Sequence, residues 1–265
     1  MAVNPVFVTL DYCMKWGEAR VPPLVTVGRS RRMGLDSEGA QSCHSNRDVK
    51  MSRVILSILV ALATVAMPVS AQVPGGCNTP VGERTSDVGC YLDAIELLGE
   101  LPQTPLFWHL YNYPTRAAAD AAKSPHGTVV ESFEKVWLYA IAEASWRPSS
   151  GDRVAVVGPL QTIAGKQYTA RYMEAVFKTG MQGAIHQHSG PEAWYLVSGS
   201  QCLETPEGIT IAHAGDSAVV REGPPMRISS VGAETRRSVL LVLHDTSQPW
   251  MTFTSELTPK SLCPK

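Results

Sequence analysis

The chain lacks an excess of either charge: 23 Lys and Arg stand against 24 Asp and Glu, a formal net charge of -1. No bulk electrostatic pull toward nucleic acid or an acidic membrane follows, so a nucleic-acid partner is not expected. It lacks a fixed-period repeat, a heptad pattern and a long charge run, which argues against a solenoid or a coiled coil. It lacks the Cys-x-x-Cys spacing of a zinc or redox site. Nor is a Ser-His-Asp set or an isolated carboxylate pair readable, so no general acid or base can be named. Its main apolar run, Val54 to Met67, is short for a membrane span, which needs roughly 20 residues.

What is present is ordinary globular material, 44% hydrophobic and 18% charged over 265 residues, with Gly 21 and Pro 19 pointing to many turns. Residues 1–50 carry no sustained helical or strand period and read as a non-native upstream extension, with Met51 as the true start. Met51-Ser52-Arg53, the apolar run and the small-x-small ending at Ala71 form a secretory signal peptide over 51–71. A secreted or periplasmic mature chain with no stable membrane span is therefore expected; a retained anchor is the alternative. Export leaves Cys77, Cys90, Cys202 and Cys263, which suggests two disulfides in one of three connectivities. Cys77–Cys90, closing a short loop, with Cys202–Cys263, tethering the tail, is the favoured pairing; free thiols are the other reading.

Residues 72–167 alternate between helix and strand and predict a small α+β region that packs on, or extends, the strands after it. Val88, Tyr91, Leu92, Ile95 and Leu98 form an i, i+3, i+4 stripe that predicts a helix over Asp87 to Gly99. Thr115 caps a second, alanine-rich helix from Arg116 to Lys123. Strands are predicted at Phe107–Tyr111, Thr128–Phe133, Lys135–Ile141 and Arg153–Val157. From Tyr168 the pattern becomes short strands between glycine-bearing turns. They are Tyr168–Lys178, Ile185–His188, Ala193–Val197, Gln201–Thr205, Ile209–His213, Ser217–Arg221, Met226–Val231 and Ser238–His244. That spacing predicts an antiparallel sandwich or barrel over 168–246, followed by an irregular tail over 247–265.

The chemistry sits in Gly180 to Gly199. His186 and His188 are two apart, so on a strand both rings leave the same face. Ser189-Gly190-Pro191 turns the chain, and Glu192 opens the next strand, allowing a 2-His-1-carboxylate metal face. Trp194, two past Glu192, should share its inward face. Glu204 could also reach the interior, although a solvent-facing carboxylate is the plainer expectation. His109, mid-strand between Trp108 and Leu110, reads as a hydrogen-bonded core or surface residue.

Gly180, His186, His188, Glu192 and Gly199 resemble the first signature of the cupin superfamily with no spacing error. The second signature falls at Gly215, Arg221, Gly223, Met226 and Ser230. Arg221 replaces its proline, Met226 its metal-binding histidine and Ser230 its asparagine. The resemblance implies a mainly β chain: a cupin-type jelly-roll β-barrel with an interior site and a divalent metal on His186, His188 and Glu192. It also implies a homodimer. Trp194 and Met226 would then line an apolar pocket for a small aromatic or hydrophobic ligand.

Met226 leaves three readings open, since a thioether is a weak ligand for iron(II), manganese or zinc. The three residues hold a metal alone, or His213 or His244 completes the set, or a metal-free polar cluster sits at a pocket mouth. The function expected is a metal-dependent oxygenase, isomerase or lyase acting on a small organic substrate. A non-catalytic small-ligand-binding module is the alternative.

Overall fold

The computed structural model describes residues 76–260 and 263–264. The expected upstream extension (1–50) and the expected signal peptide (51–71) lie outside them. Among the described residues, a short 3-10 turn, Val81–Glu83, fourteen strands, β1 to β14, and one α-helix follow in chain order. The first part holds β1 (Gly89–Glu100), β2 (Leu106–Tyr113), α1 (Arg116–Ala122), β3 (Gly127–Ser132), β4 (Lys135–Glu143) and β5 (Asp152–Leu160). The second holds β6 (Gln167–Phe177), β7 (His186–His188), β8 (Glu192–Ser198), β9 (Ser200–Thr205), β10 (Gly208–His213), β11 (Ser217–Val220), β12 (Arg227–Val231), β13 (Arg236–Asp245) and β14 (Met251–Phe253).

The eight strands β6 to β13 form the barrel. One sheet runs β6-β13-β8-β11, taking the first, eighth, third and sixth of the eight. The facing layer runs β7-β12-β9-β10, the second, seventh, fourth and fifth. There β12, β9 and β10 form a ladder, and isolated bridges His186–Met226 and Gln182–Ser229 join β7's segment to that of β12. This order is a jelly roll. β1 extends the first sheet beside β6, and β14 extends the second beside β7. The expected barrel strands are all present, with ends within two residues of their predicted limits.

A separate four-stranded sheet, β3-β4-β2-β5, covers the outer face of the barrel's first sheet. The alternation of β6 and β13 explains the layering. Tyr168, Ala170 and Tyr172 of β6, with Val239, Leu241 and Leu243 of β13, pack outward against Trp108, Tyr139 and Ile141. Met173, Ala175 and Phe177, with Leu240 and Val242, point into the barrel. Each fully buried side chain of this kind stabilises the fold by about 1.5–3 kcal/mol. The helix Arg116–Ala122 forms as expected, with Ala118 N–H donating to Thr115 Oγ1 at 3.2 Å. His109 is fully buried, its Nε2 against the Glu143 carbonyl at 3.0 Å.

Both favoured disulfides are present, Cys77–Cys90 at a Cα separation of 4.5 Å and Cys202–Cys263 at 5.7 Å.

Three expectations need correction. The helix over Asp87–Gly99 is the strand β1, which pairs with β6 and so extends the barrel sheet. Two register shifts, between Leu92 and Ala94 and between Leu97 and Gly99, break its period-2 alternation and imitate a helical stripe. Ladder pairing overrides that local pattern. The tail is not irregular throughout, because Met251–Phe253 pairs with His186–His188. Glu204 is buried, held by Arg227 Nη2 at 2.9 Å and the Lys260 N–H at 2.6 Å.

The first bulge has an electrostatic consequence. Asp93 is the residue left without a ladder partner, and its carboxyl turns inward beside Glu174, with no hydrogen-bond partner among the described residues. Burial, then repulsion from Glu174, raises its pKa to about 8, against the opposing pull of Arg84. The unfolded carboxyl ionises near its ordinary value of 3.8, so the folded state holds an extra proton between about pH 4 and pH 8. The stability this confers is complete below that window and is lost as pH rises through it. Asp93→Asn is expected to flatten the fall in melting temperature across this window and to be the more stable protein at its alkaline end. An unchanged slope would show that Asp93 is not the group responsible.

Candidate metal centre

His186 and His188 occupy the two ends of β7, and Glu192 opens β8. The turn between them is forced by a close approach: a Cβ on Gly190 would lie 1.9 Å from the Leu243 carbonyl oxygen. Only glycine lets β7 and β8 fold back this tightly against β13. Gly199 closes the first signature in the same way, with a φ of +70° and a Cβ position 2.8 Å from the Thr235 carbonyl oxygen.

The three side chains converge. One ligand atom from each lies within 4.8 Å of the other two, and among the described residues this is the cluster that could hold a metal. The His186 and His188 rings meet edge to face at 4.8 Å between centroids. Their Nδ1 atoms are spoken for: that of His186 lies 2.8 Å from the Ala184 carbonyl oxygen, and that of His188 lies 2.7 Å from the Trp250 carbonyl oxygen. A carbonyl can only accept, so both Nδ1 atoms carry hydrogen and, in a neutral ring, both Nε2 atoms present lone pairs. This is the second contact that fixes a metal-binding histidine.

Glu192 and His188 then form an unusual pair. Oε2 of Glu192 is 3.2 Å from His188 Nε2, yet it is buried without a hydrogen-bond partner. Two acceptors facing each other in a buried site repel, and a shared cation resolves the conflict. The donor set, two neutral imidazoles and one carboxylate, suits a divalent ion. Burial raises the Glu192 pKa, but a hydrogen bond and charge from His188 in its protonated form, with the charges of His186 and Arg236, outweigh it and lower the pKa; a proton on His188 Nε2 and a bound cation are thus the two ways to satisfy the same carboxylate oxygen. Burial and the His188 ring lower the His186 pKa, against Glu192 and the Ala184 carbonyl, which favours the neutral ligand form. The residues fit the ion.

A cavity of about 480 Å³ opens from these three residues, walled mainly by Met173, Phe177, Leu240, Val242, Trp250 and Phe253. Trp250 stacks on His188 at 5.6 Å, and the Arg171 guanidinium lies 4.6 Å from the Trp250 ring centroid. The tail thus supplies a wall of the cavity and orients one ligand.

Both expected pocket residues need correction, because neither lines the cavity. Trp194 does share the inward face with Glu192 but is buried in the cluster of Met173, Leu196 and Leu240. Met226 is buried among Leu203, Val220 and Ile228. Of the alternative ligands, His213 contacts Ser200 Oγ at 2.9 Å, and His244 Nδ1 contacts the Asp245 carbonyl at 3.0 Å. Neither joins the ligand cluster.

The two signatures nevertheless lie side by side. Met226 and His186 exchange both backbone hydrogen bonds, at 2.8 and 3.1 Å, and the Gly223 N–H donates to the His188 carbonyl at 3.2 Å. The barrel is a jelly roll. The chain resembles the cupin superfamily in signature spacing and in strand order alike.

No family model matches the sequence, and no curated protein matches it either. Among solved structures, matches include a DMSP lyase from Ruegeria pomeroyi at 14% identity, covering 32% of this chain and 43% of the lyase, with a TM-score of 0.29. A cupin domain from Bordetella pertussis matches at 22% identity over 32% of this chain and 88% of that one, with a TM-score of 0.26. Oxalate decarboxylase from Bacillus subtilis matches at 21% identity over 33% and 24%, with a TM-score of 0.28. The chain therefore spans less than half the length of the lyase and about a quarter of the decarboxylase. At these scores the matches carry no argument about fold or activity.

Met226 stands across the antiparallel pair from His186, so the two side chains leave the same face. Met226→His should add an imidazole to the set and tighten zinc or manganese binding by about tenfold or more. Competition against a chromophoric chelator measures it. Unchanged affinity would show that position 226 is turned away from the ion.

Proposed function

We propose that this is an exported cupin-barrel protein in which His186, His188 and Glu192 hold one divalent metal that acts on a small hydrophobic or aromatic organic substrate. The observation that carries this reading is the buried Glu192 carboxylate oxygen facing the His188 lone pair at 3.2 Å, an arrangement that a cation stabilises. Export is supported by the secretory pattern of residues 51–71 and by two cysteine pairs at disulfide distance. Among the described residues, no helix is long and apolar enough to cross a membrane.

A bound divalent ion would supply Lewis acidity, or a site for dioxygen, beside the substrate. The protein's own residues do the rest. The Ala184 and Trp250 carbonyls fix which ring nitrogens face the ion. The apolar walls exclude water and hold a hydrocarbon body. Among the described residues, the cavity lining contains no titratable side chain apart from His186, His188, Glu192 and Arg236. Among the described residues, no further side chain of the lining is placed to act as a general acid or base. The same observation favours the second reading, a module that holds a ligand without transforming it.

Metal analysis of purified protein, after incubation with iron, manganese, zinc and copper, separates a metal protein from a metal-free one. Roughly one equivalent per chain is expected, falling severalfold in His186→Ala and His188→Ala. Less than about a tenth of an equivalent in folded wild type would end the metal reading. Metal retained by the double variant would place the ligands elsewhere.

A further inference from the structure

The cavity contains one charge that the metal centre does not use. Arg236, at the start of β13, is 1% exposed and lines the cavity. Its Nε donates to Gln201 Oε1 at 2.8 Å and its Nη2 donates to Ser238 Oγ at 2.7 Å. Its guanidinium lies 4.9 Å from the Phe177 ring centroid. These contacts fix the plane of the group and use two of its five N–H donors. Among the described residues, no carboxylate pairs with it within 4 Å, whereas Arg84, Arg221 and Arg227 each have one. A buried cation left without a counter-ion is costly, and the usual remedy is an anion in contact with it.

We propose that Arg236 is the anchor of a carboxylate subsite, and that the ligand of this cavity is a small hydrophobic or aromatic monocarboxylate. The unused part of the guanidinium fork matches a carboxylate in plane and spacing. One arginine among apolar walls suits a single negative charge; a phosphate dianion would demand more donors than Arg236 and Gln182 provide. The field around Arg236 also changes with the metal. The negative Glu192 interacts favourably with Arg236. Once a divalent ion takes up that carboxylate, the guanidinium is the uncompensated charge, so the ion and the organic anion reinforce each other. This deepens the reading of the cavity as a ligand site, and it can fail independently of the metal.

Titration calorimetry on chelator-treated, metal-free protein removes any contribution of a metal to carboxylate binding. Three matched acid and amide pairs serve as probes: phenylacetate, 3-phenylpropanoate and isovalerate against their amides. At least one acid is expected to bind about tenfold more tightly than its amide. In Arg236→Gln, checked for folding by circular dichroism, the preference should vanish while the amide affinity is kept. If that variant does not fold, Arg236→Lys keeps the charge and loses the fork, and it should weaken the acid while sparing the amide. Equal affinities of acid and amide for wild type across all three pairs, a preference that survives in folded Arg236→Gln, or an undiminished preference in Arg236→Lys, would overturn the proposal. Acid preference in a protein that takes up no metal leaves the subsite standing and ends only the metal reading. Metal uptake without acid preference does the reverse.

Discussion

A carboxylate and an imidazole lone pair, buried 3.2 Å apart, are the constraint on which this barrel is arranged. Neither group chooses that position for its own stability. The turn at Ser189-Gly190-Pro191 brings them together, and it closes only because residue 190 has no side chain to meet the Leu243 carbonyl. The ring is then held by a backbone oxygen from Trp250, far along the sequence. Repulsion at the centre is sustained by ladder hydrogen bonds and apolar packing at the periphery, a local conflict of the sort that marks functional sites.

The barrel was legible in the sequence because its strands obey two simple rules. β6, β8 and β13 are rich in apolar residues and are buried on both faces, and glycine or proline punctuates the gaps between strands. The ligand set was legible for the same reason, since His186 and His188 share a face by parity and Glu192 follows a tight turn. β1 was misread because two bulges shift its phase, giving Tyr91, Leu92, Ile95 and Leu98 a helical rhythm. Ile95 is half exposed, so the stripe does not describe a buried face at all.

The remaining parts of the site left weaker traces. Arg236 and Arg237 look like a polar turn, yet counting back by twos from Val242 through Leu240 and Ser238 puts Arg236 inside. That parity is outweighed by the general preference of arginine for the surface. Trp250 left no local signal beyond being an aromatic residue in a proline-bearing tail. Its place over His188 comes from pairing between β14 and β7, a contact spanning some sixty residues of sequence. Met226 was misplaced for a different reason: sharing a strand face with a ligand does not put a side chain on the cavity wall.

The C-terminal segment is fastened to the barrel at several successive points. Ser189 Oγ donates to the Pro249 carbonyl, the Thr254 N–H donates to the Ile185 carbonyl, the Lys260 N–H reaches Glu204, and Cys263 bonds to Cys202. Synthesis delivers these residues after every barrel strand. A growing chain can lay down every barrel strand and all three ligand side chains while the carbonyl that orients His188 is still unmade. The cluster is therefore aligned only once Trp250 has docked on the barrel, and a truncated product ending at Asp245 would possess the three side chains without the carbonyl that orients His188.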